Sequence, residues 1–420
     1  MPPLEYIDFT AWIEDQEGGA FTWVADRLLP AVPRLPQIFW SNGEGWAEAN
    51  HWAIVKSVEH RAHPTTVAAL MKHVSAYANF LEAKGIDWRH FPMRIADRGI
   101  VRFRGDLLEQ VHAGRLAGST ARARMSAVIQ FYRHALVNDF INPDSPLWEE
   151  RTVIIPYYDV TGFKRALSRL STNLSIPNRS RPGVTLEDGL LPLSEQNMVD
   201  LLRFTDTEAQ RELHLMLKFS FFTGARLGSI LSICISNIES ARPDPSLAGF
   251  FLLAAGPGTG IKTKFDVRGD LIVPDFIISE LKTYFYSARR LTREARAAQS
   301  SKNFLFLTSR GRTYSTSTIT RLMTDLRRQA IRGGLPFMQK FKFHQARATY
   351  GTWLMKLALA VTDAGPALAF VKSAMLHKRE STTFSYIRFL ESTKGKQEAA
   401  EAFSRTFTGL ASRDWNTVNA

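Results

Sequence analysis

The chain has 420 residues, 45% hydrophobic and 22% charged, with 9 Trp and 28 Phe; this excludes wholesale disorder and predicts two or three domains. A net charge of +13 points to a polyanionic partner, with a merely soluble basic protein as the plain alternative. A single cysteine rules out an internal disulfide, no signal-peptide pattern opens the sequence, and no window approaches the ~18 apolar residues of a membrane span, so a soluble, cytoplasmic protein is expected.

Residues 1–60 are rich in Trp, Pro and Gly, as in Phe39-Trp-Ser-Asn-Gly-Glu-Gly-Trp46, and have no clear helical or strand period. They read as an appended segment of unknown role. From Pro64 the spacing of Val67, Leu70, Met71, Val74, Tyr77, Ala78 and Leu81 predicts a helix, opened by Pro64-Thr65 and closed by Gly85. A second helix is expected at 105–113. A third starts at Ser119-Thr120 and buries Met125, Val128, Ile129, Tyr132, Ala135 and Leu136. Its other face carries Arg122, Arg124 and Arg133. On a basic chain these suit phosphate contacts; otherwise they form a solvated face.

Residues 61–150 thus read as a helical bundle and 151–190 as an irregular linker, most clearly at Asn178-Arg-Ser-Arg-Pro-Gly183. Residues 191–420 read as a second domain, mainly α with one small antiparallel sheet. Ser194 suits an N-cap, and Arg211 to Phe222 a buried helix. Cys234, in the apolar run Leu231-Ser-Ile-Cys-Ile, reads as core. Phe250–Ala255 and Leu271–Val273 pair as a hairpin around a Gly-, Pro- and Lys-rich connection. Helices are expected at 276–299, 315–332, 344–360, 365–375 and 381–390.

The chemistry-bearing residues fall in short motifs. Arg226 follows Thr223-Gly-Ala, a turn between two apolar helices, where an anion would offset the cost of a cation at a helix start. His344 and Arg347 are one turn apart at the start of an apolar helix. Lys262 and Lys264 lie in the hairpin connection. His377 stands at an abrupt apolar-to-charged boundary, and Tyr386 follows nine positions later (386 − 377) behind a hydroxylated run. Each residue alone has a structural reading: a capping arginine, a satisfied histidine, a surface lysine, a core tyrosine. Together, one tyrosine, two arginines, two histidines and a lysine are what cutting a phosphodiester through a phosphotyrosine link requires.

This order and spacing, over residues 64–390, resembles the tyrosine recombinase family, also called phage integrases. In that family a helical core-binding domain precedes a catalytic domain and the two clamp DNA. Thr65 to Asn142 resembles the first and Leu191 onwards the second, followed by a C-terminal tail. Thr223-Gly-Ala-Arg226 resembles the first arginine motif, His344-Gln-Ala-Arg347 the His-x-x-Arg motif, and Leu376-His377 through Tyr386 the final motif. Asn303 to Arg312 is similar to the segment between the hairpin and His-x-x-Arg. Three departures mark a divergent subgroup: Leu376 where Gly is usual, Gln345 where Asp is frequent, and an Arg347–His377 interval of 30 residues (377 − 347).

The resemblance implies site-specific recombination of double-stranded DNA. Tyr386 would attack the scissile phosphate, leaving a 3′-phosphotyrosyl enzyme and a 5′-hydroxyl. His344 would act as base, because a phenol holds its proton at neutral pH. Arg226 and Arg347 would hold the non-bridging oxygens, His377 would donate a hydrogen bond, and Lys262, in preference to Lys264, would protonate the leaving oxygen. Lys264, like Arg122, Arg124 and Arg133, is then a DNA contact. No metal or cofactor is implied. A homotetramer would exchange strands through a Holliday junction, for a mobile element and with accessory proteins as further partners. Phe403, Phe407 and Leu410 would dock the tail on a neighbouring protomer or in cis. A type IB topoisomerase-like relaxing enzyme, a non-catalytic DNA-binding protein and an RNA-binding protein are the alternatives.

Overall fold

The computed structural model describes residues 2–15, 22–29, 31–158, 164–176, 186 and 189–393. The chain divides into two compact units, Met1–Ser180 and Arg181–Ala420. Asn178 to Gly183, Phe403, Phe407 and Leu410 lie outside the described residues.

In the first unit, β1 (Leu4–Phe9) pairs antiparallel with β4 (Val32–Ile38), and β2 (Trp12–Asp15) with β3 (Thr22–Ala25). Helices α1 (Ala47–Val58), α2 (Pro64–Lys84), α3 (Gly99–His112) and α4 (Gly118–Val137) follow. The segment 1–60, expected to lack periodic structure, thus forms strands and a helix. It also shares a core with the bundle: Leu35, Ile38, Trp46 and Trp52 pack in one cluster with Val67, Tyr77, Phe103 and Phe131. The Trp46 and Phe131 rings are 4.9 Å apart, and the buried Tyr132 hydroxyl donates to the Trp88 carbonyl at 2.7 Å. As the spacing predicts, α2 starts on Pro64 and stops where Gly85 takes φ +60.

Two expectations change here. The helix expected at 105–113 begins earlier, at Gly99. The stretch read as irregular holds a hairpin, β5 (Glu150–Tyr158) with β6 (Lys164–Thr172), in register from Glu150↔Thr172 to Tyr158↔Lys164. Pro156 inside β5 hid it, because proline argues against a paired strand.

In the second unit, α5 (Glu195–Glu208), capped by Ser194 as expected, leads to the buried α6 (Arg211–Thr223), then to α7 (Leu227–Leu231) and α8 (Ile235–Glu239). A three-stranded antiparallel sheet of β7 (Arg242–Pro243), β8 (Phe250–Ala255) and β9 (Gly269–Pro274) follows, with a short third strand beyond the expected hairpin. The helix expected at 276–299 is two, α9 (Asp275–Phe285) and α10 (Ala288–Ala295), parted where Ser287 caps α10 through the Arg290 N–H. Then come α11 (Thr316–Arg332), α12 (Gln345–Val361), α13 (Ala364–Ala374) and α14, residues 380–393. The fold is mainly α with small antiparallel sheets. Cys234 is not core: it is half-buried at the start of α8, its N–H donating to Asn237 Oδ1 at 2.8 Å, and burial raises its thiol pKa.

One buried polar network braces this unit. Glu212 has no exposed side-chain surface and takes a two-pronged hydrogen bond from Arg289 (2.8 and 3.0 Å) with Arg293 at 2.9 Å. Burial alone would raise the carboxyl pKa, but these arginines hold it below the usual carboxylate range. Arg290, also fully buried, donates to the carbonyls of Lys302 (2.6 Å), Phe304 (2.7 Å) and Leu305 (2.9 Å). It pins the segment between α10 and α11.

Candidate active site

The turn before Arg226 is set by Gly224. Its φ of +66° suits glycine, and a Cβ there would stand 2.5 Å from the Tyr350 ring. Thr223 Oγ1 donates to the Phe219 carbonyl (2.7 Å) and accepts the Ala225 N–H (3.2 Å), closing the end of α6. Arg226 then takes extended backbone angles as the N-cap of α7, half-buried.

His344 and Arg347 open α12. His344 is the N-cap residue, half-buried, and its carbonyl accepts the Ala348 N–H at 3.2 Å. Gln345 fixes this start: its side-chain oxygen accepts the Lys342 N–H (2.7 Å) and its Nε2 donates to the Leu191 carbonyl (3.0 Å). Arg347 is only 1% exposed. A buried guanidinium is costly unless its donors are satisfied. Nη1 donates to the Gly224 carbonyl at 2.6 Å and Nη2 to the Met375 carbonyl at 2.8 Å. Arg347 thereby ties the turn that carries Arg226 to the segment that carries His377.

That segment keeps an unusual backbone. Leu376 has φ +50°, the left-handed region, although the residue is not glycine. The cost of about 1–2 kcal/mol is offset by burial of its side chain against the core. Gly269 makes room, since a Cβ there would lie 2.7 Å from Leu376 Cδ2. Leucine at this position therefore holds a left-handed backbone that glycine adopts more readily. His377 is buried, with Nδ1 2.8 Å from Thr383 Oγ1 and its N–H donating to the Lys372 carbonyl at 3.0 Å. Tyr386, on α14, is fully buried; its ring centre lies 6.0 Å from that of His377, with planes 21° apart. Gly351 of α12 permits this packing: a Cβ would stand 2.7 Å from Tyr386 Cε1 and 2.5 Å from Met375 Sδ. Beside them, burial pushes the Tyr350 phenol up to about 12.

Lys262 and Lys264 are exposed on the connection between β8 and β9. The Lys262 N–H donates to Ser232 Oγ at 2.8 Å, and the Lys264 ammonium lies 5.2 Å from the Phe265 ring centre. An open cavity of about 350 Å³ lies between the end of this connection and α13; Arg268, Lys372, His377 and Glu380 are among its lining residues. Lys372 and Glu380 pair at 2.9 Å.

On the first unit, Arg122 is exposed and Arg124 half-buried on α4. Burial and the charges of Arg124 and Lys72 lower the His73 pKa, which marks a positive cluster shared by α2 and α4. Arg133 differs: it pairs with Glu150 at 2.9 Å and lies 5.9 Å from the Trp148 ring centre.

The structure sets His377 beside Tyr386, and Arg347 ties their segment to the turn that carries Arg226; His344 stands one turn before Arg347, at the start of α12. Among the described residues no three His, Cys, Asp or Glu side chains form a group that could hold a metal ion. Gly351 and Thr383 support the site and were not singled out from the sequence; Gln345, noted there only as a departure, proves to fix the start of α12. Thr383 sits in the hydroxylated run, which reads only as a helix start. A glycine inside an apolar helix, such as Gly351, was the one available signal of close approach.

Residues 192–393 match the model of the phage integrase family. No curated protein matches the sequence. The fold is similar to that of a Tn1549 transposon integrase variant in complex with a circular intermediate DNA: TM-score 0.51, 12% identity, covering 84% of this chain and 99% of that one. A second structure of that integrase, with transposon right end DNA, aligns at TM-score 0.50 and 13% identity, over 84% of this chain and 98% of that one. At such identities the likeness is one of fold.

Proposed function

We propose that this chain, whose residues 192–393 match the phage integrase family, is a tyrosine-type site-specific recombinase that cuts and rejoins double-stranded DNA through a 3′-phosphotyrosyl link for a mobile element. The observation that carries this reading is Arg347, which bridges Gly224 and Met375 and so holds the Arg226 turn and the His377–Tyr386 pair in one frame.

In this reading Tyr386 attacks the scissile phosphate, and His344 takes the phenolic proton. Arg226 and Arg347 stabilise charge on the non-bridging oxygens; fixing Arg347 beforehand lowers the reorganisation needed in the transition state. His377, with Nδ1 held by Thr383, presents Nε2 to the same phosphate. Lys262, on its anchored and exposed connection, protonates the 5′-oxygen as it leaves. Because Tyr386 is fully buried here, attack follows a shift of α14 that bares the phenol. Four protomers would exchange strands through a Holliday junction, and Lys72, Arg122 and Arg124 would hold phosphates along the duplex. Among the described residues no helix is long and apolar enough to cross a membrane. A cytoplasmic protein acting on chromosomal or mobile DNA is the matching location.

The burial of Tyr386 also favours a second reading, a DNA-binding protein that does not cut. Labelled duplexes from the DNA flanking the gene, nicked to trap intermediates, separate the two on denaturing gels. A protein–DNA adduct with the wild type that Tyr386→Phe abolishes is expected. Tight binding with no adduct in either protein would sink the recombinase reading and leave the second.

A further inference from the structure

The connection between β8 and β9 holds two consecutive non-glycine residues in the left-handed region, Phe265 (φ +66°) and Asp266 (φ +54°). Each such residue costs about 1–3 kcal/mol, so surrounding structure must hold it. Here Thr263 Oγ1 donates to the Val267 carbonyl at 2.7 Å, the Lys262 N–H to Ser232 Oγ at 2.8 Å, and Asn237 Nδ2 to the Thr259 carbonyl at 2.7 Å. Strain of this kind could have turned the ring inward. Instead Phe265 is 64% exposed.

Its surroundings are cationic. The Lys264 ammonium lies 5.2 Å from the ring centre and that of Lys378, the residue after His377, lies 5.5 Å away. Lys262 and Arg268 flank it in sequence, both exposed. A structural tie between the connection and the His377 segment would need only one such contact, worth about 0.5–1 kcal/mol at an exposed site. It would not need most of an aromatic ring left in water. An exposed apolar ring between two ammonium groups matches duplex DNA, which presents phosphates outside and stacked base faces within.

Resting on the recombinase reading above, we propose that Phe265 is a wedge that stacks against a base step next to the scissile phosphate, while Lys264 and Lys378 grip the phosphates on either side. Inserted apolar side chains of this kind unstack a step and bend the duplex. In this role Phe265 is a positioning and site-selecting residue.

The test replaces Phe265 with the photo-crosslinking residue p-benzoylphenylalanine in the full chain and uses the nicked flank duplexes as probe. The crosslinked nucleotide is expected within about two positions of the nucleotide joined to Tyr386. Phe265→Ala should weaken binding about 5- to 150-fold, the loss of one base–aromatic stack, with Phe265→Trp restoring most of it. Crosslinking to a second copy of the chain, or to DNA far from the cut, would overturn the wedge, as would a Phe265→Ala protein that binds and cleaves like the wild type. Failure of the unmodified protein to bind or cleave would instead remove the recombinase reading on which the wedge depends.

Discussion

Gly351 is where a single methyl group should separate chemistry from binding. The Cβ of Gly351→Ala would meet Met375 Sδ at 2.5 Å and Tyr386 Cε1 at 2.7 Å, so the phenol must move. Overpacking of this kind costs about 1–3 kcal/mol in the buried seat that the phenol must leave before attack, so adduct formation should rise about 5-fold or more while DNA affinity stays within about threefold. Single-turnover cleavage and equilibrium binding, run on the same duplex, check this; unchanged cleavage would mean that Gly351 serves only helix packing. Leu376 hides its backbone from the sequence. Leucine disfavours positive φ, yet φ here is +50°. Backbone angle is an outcome of packing, here against Gly269 and the core, and one side-chain identity does not reveal it.

Helices with long apolar periods were legible element by element, and the motifs they carry were legible too: α2, α6, α11, α12 and α13 lie within a residue or two of their expected bounds. The pairing of β1 with β4 was not, because it joins Leu4 to Ile38 across the chain and β4 carries Pro33 and Pro36, which erase the alternation a strand would show. The Arg290 bracket was equally hidden, since a charged residue on a polar-looking helix reads as surface. Arg290→Ala should destabilise the second unit by about 3–5 kcal/mol, because the carbonyls of Lys302, Phe304 and Leu305 and the Glu294 carboxylate lose their partner. A fall in urea midpoint without change in slope is the expected readout, and a shift too small to measure would refute the bracket.

Between α1 and α4, His51 Nδ1 lies 3.0 Å from His134 Nε2. Burial, with His51, Lys56 and His60 nearby, pushes His134 down to about 4. Below about 6.5 the unfolded chain binds a proton there that the folded chain refuses, so stability drops as pH falls from about 6.5 towards 4. His73 and His214, also lowered, add to the same trend. Urea titrations at successive pH values should show a shallower decline for His134→Gln; an identical decline would assign the trend to other groups.

For the whole molecule, the +13 charge makes affinity for DNA a function of salt. Each phosphate contact adds about −0.9 to the slope of log K against log salt. Arg122→Ala should reduce that slope by about 1. Arg133→Ala should change it less, because Glu150 already holds that guanidinium, and a slope change equal to that of Arg122→Ala would show that the ion pair opens on DNA.

The chain has one cysteine, and Cys234 is half-buried with a raised thiol pKa, which makes it a slow target for maleimide. A cysteine placed at an exposed position such as Lys264 would therefore react first, with no cysteine-free background to build. A fluorophore attached there would ride on the strand connection that carries Lys262. It would report in real time whether that connection changes its surroundings before, or only after, the phenol becomes joined to DNA.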